Sequence, residues 1–566
     1  MNSGPQTPFS EYLHATKYRA QHESFHEAMN RIAGALTDDR DHFLILREIL
    51  EAMRFMPGGR IQAAVGAPKK VTPYNCFVSG TIEDSFLEGH GSIMARATEA
   101  AATMRMGGGI GYDFSTLRPR GAPIKKLGSS SSGPVAFMDI YNAVCKCIAS
   151  SGHRRGAQMG VLRVDHPDIE EFIHVKQEEG VLEGFNLSIG ITDEFMRAVR
   201  DDLPFQLRWG GEVFSEVDAR ALWDKIMRST WDWAEPGVLF IDRINEMNNL
   251  YYCELIAATN PCGEQPLPPY GACLLGSFNL VQYLFMTDSG WMFNWEQFRK
   301  DIPMAVRALD RVIEVATYPL FEQEQEAKNK RRMGLGVTAL ANAGETLGLP
   351  YGSPEFLLFE ERVLTTLRDE SYHASALLAA ELGSFPLYDK EKYLAGKFIK
   401  TLPKWLRDVI AKNGIRNSHL GSIAPTGTIS LAADNVSSGI ESVFSRSAIR
   451  TVQTFEGSGE HLIEDYAYAT HGTIPVEAHE VTAEQHLLVL AKAQSLVDSA
   501  VSKTCNVPSD MPWTEFKSLY FRAWEMGCKG ITTFQDGGKR KGILKKADTE
   551  GMACRLDPIT GRKECE

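Results

Sequence analysis

The chain has 566 residues, 43% hydrophobic and 23% charged, enough for one very large domain or roughly three ordinary ones with ordinary globular cores. A formal charge of -12, from 60 Lys plus Arg against 72 Asp plus Glu, argues against polyanion binding over the whole surface, and hence against DNA or RNA as a partner. No stretch approaches the roughly 20 apolar residues of a membrane helix, the first residues lack a signal pattern, and ten cysteines are too few for a secreted disulfide scaffold, so the chain reads as cytoplasmic with no membrane partner.

In chain order, a helical pattern runs from about Ser24 to Met53. "GSSSSGP" (Gly128 to Pro134) is too short to be a domain linker, and the helical run "AFMDIYNAVCKCIAS" puts Cys145 and Cys147 on different faces, which disfavours a shared metal ion. In "FNLSIGITDEFMRAV", Phe185, Leu187, Ile189 and Ile191 alternate as a strand does, and Thr192 or Asp193 then caps an amphipathic helix. Further helical patterns cover Ser215 to Trp233, Trp295 to Val315, Pro354 to Leu382 and Ala483 to Ser502. Between the second and third of these, "GLGVTA" (Gly334 to Ala339) fits a dinucleotide fingerprint, but it follows "KNKRRM" where that motif needs an apolar strand. Short apolar runs bounded by turn residues separate the helices, so the pattern predicts an α/β domain with mostly parallel strands, as a barrel or an open sheet. The closing "KGILKKADTEGMACRLDPITGRKECE" loses periodicity and reads as a mobile tail.

The segment that carries chemistry is "NPCGEQPLPPYGAC" (Asn260 to Cys273). Pro261, Pro266, Pro268 and Pro269 fix φ and prevent a long helix, so an irregular loop should hold Cys262 in one place. In an extended tip, positions i, i+2 and i+4 share a face, so Asn260, Cys262 and Glu264 can meet one substrate. No metal site is expected.

Eleven segments, those of this loop among them, resemble the catalytic subunits of ribonucleotide reductases, specifically the adenosylcobalamin-dependent class II. They include "RFMPGGR" (Arg54 to Arg60), "NCFV" (Asn75 to Val78), "GGGIGYDFSTLRPRGAPI" (Gly107 to Ile124), "HRRGAQMGVLRVDHPDIEEFI" (His153 to Ile173), "EPGVLFID" (Glu235 to Asp242), "NPCGEQPL", "APTGTIS" (Ala424 to Ser430), "SGIE" and "SKTCNVP", in the family's order. The resemblance implies a ten-stranded α/β barrel of two antiparallel-joined five-stranded halves, with the loop as a central finger. It implies a helical region over residues 1–70 with no room for an ATP-binding cone, a barrel over 71–545 and a redox tail over 546–566.

It also implies roles. Cys262 would carry a transient thiyl radical, Glu264 would be the base on the 3′-hydroxyl and Asn260 would orient it, while Cys76 and Cys273 would supply two electrons by closing a disulfide. Cys76 would be the proton donor. Asn75, Gly109, Pro261 and Gly263 would approach the ribonucleotide, and Pro425, Thr426, Gly427, Thr428 and Ile429 would cradle its phosphates. Asp84, Arg118 and Arg120 would bind a dNTP or ATP specificity effector at a homodimer interface, and "GHRRGAQMG" would carry that signal to the active site. Cys554 and Cys565 would shuttle electrons from thioredoxin or a similar dithiol protein. Phe534 and Gln535 stand where class I enzymes have adjacent radical-relaying tyrosines, which favours adenosylcobalamin as the radical source. The readings left beside this one are a class I subunit needing a radical-generating partner and a catalytically silent nucleotide-binding regulator.

Overall fold

A computed structural model describes residues 3–150, 154–155, 157–177, 180–454 and 457–535, with the backbone of 544–546, 554–556 and 563–565. The strands that frame the molecule are β1 (Phe55–Pro57), β2 (Cys76–Val78), β3 (Gly109–Asp113), β4 (Gln158–Arg163), β5 (Phe185–Ile191) and β6 (Gly237–Phe240), then β7 (Ala258–Thr259), β8 (Pro266–Leu267), β9 (Ala272–Cys273), β10 (Leu275–Asn279), β11 (Gly334–Thr338), β12 (Thr504–Val507) and β13 (Gly530–Gln535).

Strands β2 to β6 lie parallel in sequence order. At one edge β9 pairs antiparallel with β2, and at the other β13 pairs antiparallel with β6 and parallel with β12, making eight strands. A second sheet holds β1, β10 and β11, with β10 and β11 parallel. One residue separates β9 from β10, and isolated parallel bridges join Leu335 to Gly421 and Ile423 to Val501. The fold is therefore mixed α/β with a large, mostly parallel sheet; among the described residues the ladders do not form one closed sheet.

Helices cover the sheet, which is why β5 is buried at nearly every position although its largest apolar residues alternate. Thr192 caps the helix that follows, its hydroxyl accepting from the Phe195 N–H at 3.2 Å. The helices Trp295–Val315 and Pro354–Leu382 fall where periodicity places them. Three expected helices differ. The run from Ser24 to Met53 is two helices, Phe25–Leu36 and Arg40–Glu51, because Asp39 caps a new start. Ser215 to Asp218 belong to a hairpin strand, with the helix beginning at Ala219. The last helix stops at Gln494, and the chain then leaves it toward β12. Within the expected N-terminal helical region, β1 enters the second sheet. No described helix is long and apolar enough to cross a membrane.

Two large cores join side chains of the strands to the helices, and a small third cluster packs Val78, Met159, Val161, Cys273 and Ala424 with Leu267 of the loop that carries Cys262.

Candidate active site

Strands β7 and β8 form a finger, with Ala258 opposite Leu267 and Thr259 opposite Pro266. The next rung is made by Asn260, whose N–H donates to the Gln265 carbonyl at 3.2 Å while its Oδ1 accepts the Gln265 N–H at 2.9 Å. At the tip the Gly263 N–H donates to the Asn260 carbonyl at 3.1 Å, closing a β-turn with Pro261 and Cys262 at its corners. Proline presets the first corner, and Gly263 takes the left-handed φ of 84° that follows it. The tip is thus folded back where an extended chain was expected. Asn260 and Glu264 are buried while Cys262 is exposed, and Asn260 Oδ1 is engaged in holding the turn while its buried Nδ2 has no partner among the described residues.

Two glycines let the finger lie on the sheet. A Cβ on Gly111 would sit 1.8 Å from the Thr259 carbonyl oxygen. One on Gly109 would sit 3.2 Å from both Pro261 Cγ and Cys76 Sγ. On the other side the Ser422 hydroxyl and the Ala500 N–H donate to the Glu264 carbonyl at 2.8 and 3.0 Å. Asn186, which sequence reading passed over, donates from Nδ2 to the Pro261 carbonyl at 3.0 Å. Its only signal was a polar residue within an apolar strand.

Cys76 and Cys273 are direct cross-strand partners on β2 and β9. Such partners hold their Cβ atoms about 4.5–5.5 Å apart, close to the roughly 3.5–4.5 Å of a disulfide, so a small movement can join them. Cys273 is fully buried, and burial pushes its thiol well above the usual range, with the neighbouring Glu264, Cys76 and Cys262 acting in the same direction. The thiol pair lies against the finger, since a Cβ on Gly109 would touch both Cys76 Sγ and Pro261 Cγ, and Glu264 and Cys262 are near enough to act on Cys273. Asn75 ties the strands beneath it, its N–H donating to the Cys273 carbonyl at 3.3 Å and its carbonyl accepting from Gly109 at 3.0 Å.

Pro425 leads into a short helix, Gly427–Ala432, preceded by Thr426 in the left-handed region at φ 49°. The Thr426 hydroxyl is committed to the scaffold, meeting Thr338 Oγ1 at 3.0 Å and accepting the Gly439 N–H at 2.7 Å. Thr428 is exposed and the space beside Gly427 is open. The N–H groups of Gly427, Thr428 and Ile429 lie in the first helical turn, where no carbonyl one turn back can accept them.

Asp84 and Arg118 are brought together, with Arg118 Nε donating to Asp84 Oδ2 at 2.7 Å. Arg120 is not part of that pair; it bonds Glu171 Oε2 at 2.9 Å and, through its N–H, Asp168 at 2.8 Å. Cys145 is buried and Cys147 exposed, on the different faces expected of them. "GLGVTA" forms β11, where Cβ atoms on Gly334 and Gly336 would strike Gln265 and Ser422, so its glycines serve close packing. The side chains of Cys554 and Cys565, and residues 152, 153 and 156 of the proposed signalling loop, lie outside the described residues.

The family model described as "Ribonucleotide reductase, barrel domain" matches residues 74–468 and 459–534. Over 517 residues the chain is 35% identical to a Mycobacterium tuberculosis protein named vitamin B12-dependent ribonucleoside-diphosphate reductase, covering 85% of this chain and 70% of that one. A Thermoplasma acidophilum protein of the same name is 33% identical over 567 residues, 93% of this chain and 69% of that one. A Streptomyces clavuligerus protein named vitamin B12-dependent ribonucleotide reductase is 28% identical over 580 residues, 86% of this chain and 60% of that one.

Proposed function

Since this chain belongs to the ribonucleotide reductase family, we propose that it converts ribonucleoside diphosphates to 2′-deoxyribonucleotides for DNA synthesis, with adenosylcobalamin as its cofactor. The observation that carries the reading is the convergence of Cys262, Glu264 and the Cys76–Cys273 pair around one finger. The names of the relatives support the cofactor and the diphosphate.

The finger suits a bulky radical source. Cys262 is exposed at the tip, and a Cβ on Gly263 would meet nothing within 4 Å, so a large group has room to reach the sulfur. Cys262 and Gly263 would face the cofactor. When bound there, adenosylcobalamin would supply the radical chemistry that activates the Cys262 thiol.

The remaining chemistry belongs to the chain. The Cys262 sulfur takes the hydrogen from C3′ of the ribose, and Glu264 accepts the 3′-hydroxyl proton. The C2′–O bond breaks, and the 2′-hydroxyl leaves as water with a proton from Cys76. Cys76 and Cys273 deliver two electrons as their S–S bond forms, the hydrogen of Cys273 goes to C2′, Glu264 returns its proton to the 3′-oxygen, and Cys262 returns its hydrogen to C3′. The balance is one ribonucleotide and two thiols giving one deoxyribonucleotide, water and a disulfide. Asn260 keeps the tip folded so that these groups face one ribose, while Asn75, Gly109, Pro261 and Gly263 line its approach. The first turn at Gly427, Thr428 and Ile429, entered through Pro425 and Thr426, receives the phosphates.

We read the ladders and bridges as one ten-stranded barrel, in which 272–279, 334–338, 421–423, 501–507 and 530–535 form the second parallel half. The chain acts as a homodimer with a dNTP or ATP effector beside Asp84 and Arg118. Thioredoxin or a similar dithiol reopens the Cys76–Cys273 disulfide through Cys554 and Cys565. The cytoplasm keeps these thiols available. The test is reduction of the four ribonucleotides, as diphosphates and triphosphates, with a dithiol and with or without adenosylcobalamin. Cobalamin-dependent product from diphosphates supports the reading; product that needs a second protein subunit overturns the cofactor assignment.

A further inference from the structure

Near the turn assigned to the phosphates lies an ion pair that the reaction does not use, its lysine fully buried and its glutamate partly exposed. Lys503 has a side chain with no exposed area, and its ammonium donates to Glu441 Oε2 at 2.8 Å, approaches His486 Nδ1 at 3.1 Å and lies 5.5 Å from the Tyr351 ring centre. The second carboxylate oxygen of Glu441 accepts the Thr504 N–H at 2.7 Å, so the pair fastens "SGIE" to the start of β12 at two points. Removing an ammonium from water costs several kcal/mol, and apolar pairs of similar volume often stabilise a fold as well. The pair is better explained by the geometry it imposes.

That geometry leads to Thr426. Glu441 closes the Ser438–Glu441 turn, its N–H donating to the Ser438 carbonyl at 2.8 Å, while Tyr351 Oη donates to the Ile440 carbonyl at 2.6 Å. Inside this turn Gly439 has φ 55° and lies so close to the chain before Thr426 that a Cβ would come 2.8 Å from the Ala424 carbonyl oxygen. Its N–H is the donor to Thr426 Oγ1 at 2.7 Å. Thr426 needs such a hold. A β-branched residue at positive φ is strained by roughly 1–3 kcal/mol and persists only where its surroundings over-determine it.

We propose that Lys503 and Glu441 are positioning residues which, through Gly439, keep Thr426 in its left-handed conformation and so aim the N–H groups of Gly427, Thr428 and Ile429 at the substrate phosphates. The proposal rests on the phosphate assignment above. Relaxation of Thr426 would turn that first helical turn away from the phosphates while leaving Cys262, Glu264, Cys76 and Cys273 in place.

The experiment compares binding of cytidine and cytidine diphosphate to the full chain and to Lys503→Met and Glu441→Gln, with thermal unfolding measured in parallel. The parent chain should bind the diphosphate more tightly than the nucleoside. Each variant should lose about tenfold of that preference, with nucleoside affinity unchanged, KM for the diphosphate raised and kcat within about twofold. Variants that lose stability but keep the parent's diphosphate-to-nucleoside ratio overturn the proposal and leave the phosphate assignment standing. A parent chain with no such preference overturns the assignment itself. Should Lys503→Met fail to fold, Thr426→Val decides, since it keeps the side-chain shape and removes the hydroxyl that Gly439 holds. An unchanged ratio there also overturns the proposal.

Discussion

Cys273 stands directly across from Cys76 on neighbouring antiparallel strands, with Gly109 in register on the far side of Cys76. The two thiols are held as a reducible pair before any disulfide exists. Without external reductant, addition of substrate and adenosylcobalamin should consume two thiols per deoxyribonucleotide formed, and turnover should stop after one round at this pair. Thiol titration checks this. Cys76→Ser and Cys273→Ser should each consume none, and undiminished multiple turnover in either would rule the pair out as the reductant.

Glu264 is buried beside Cys273, with its backbone pinned by Ser422 and Ala500. Glu264→Gln keeps the shape and removes the base. The expected loss in kcat is about 10²–10⁴-fold, the usual contribution of a positioned general base, with KM little changed. Steady-state kinetics decide it, and a rise in KM at constant kcat would make Glu264 a binding group instead.

The glycines under the finger should differ in severity. A methyl at Gly109 needs shifts of a few tenths of an ångström from Cys76, Pro261 and the Ala157 carbonyl, whereas one at Gly111 would overlap the Thr259 backbone at 1.8 Å. Gly109→Ala should cost about 1–3 kcal/mol, as overpacked sites do, and Gly111→Ala more. Denaturant unfolding measures both. Equal stability of the two variants would mean that the finger does not lie against β3 as described.

Much of this was legible in the sequence because local signals agreed with the fold. Serine before Pro354 and asparagine before Trp295 mark true helix starts, since each side chain caps the first turn. The alternation over Phe185 to Ile191 is a true strand. Where local signals conflicted, the reading failed. Apolar spacing continued across Thr37 to Asp39, yet Asp39 caps a second helix there. Ser215 to Asp218 could not be assigned to a hairpin without knowing that they pair with Pro204 to Leu207. At the finger the proline spacing correctly excluded a helix, but the fold-back at Gly263 depends on a bond between Asn260 and Gln265 that spacing does not reveal. Asn186 and the Lys503–Glu441 pair were illegible because their partners lie 75 and 62 residues away.

Glu345, in the helix after β11, makes a separate prediction about pH. Burial, with Asp465 adding to it, pushes its carboxyl up to about 8, although Oε1 accepts the Val476 N–H at 2.9 Å. Because the folded pKa is raised above 4.5, the contribution of Glu345 to stability is complete below pH 4.5 and is lost as pH rises through about 8. Glu345→Gln cannot ionise. Its melting temperature relative to the parent chain should therefore climb steadily between pH 5 and 8, and a pH-independent difference would show that the carboxyl ionises normally in the fold.

The most direct test of the whole account is deoxyribonucleotide formation by the parent chain and by Cys262→Ser, each with a ribonucleoside diphosphate, a dithiol and adenosylcobalamin. The account predicts cobalamin-dependent product from the parent and none from the variant, with nucleotide binding retained in both. Product from Cys262→Ser would contradict it, because no other exposed thiol stands at the tip of the finger between Asn260 and Glu264.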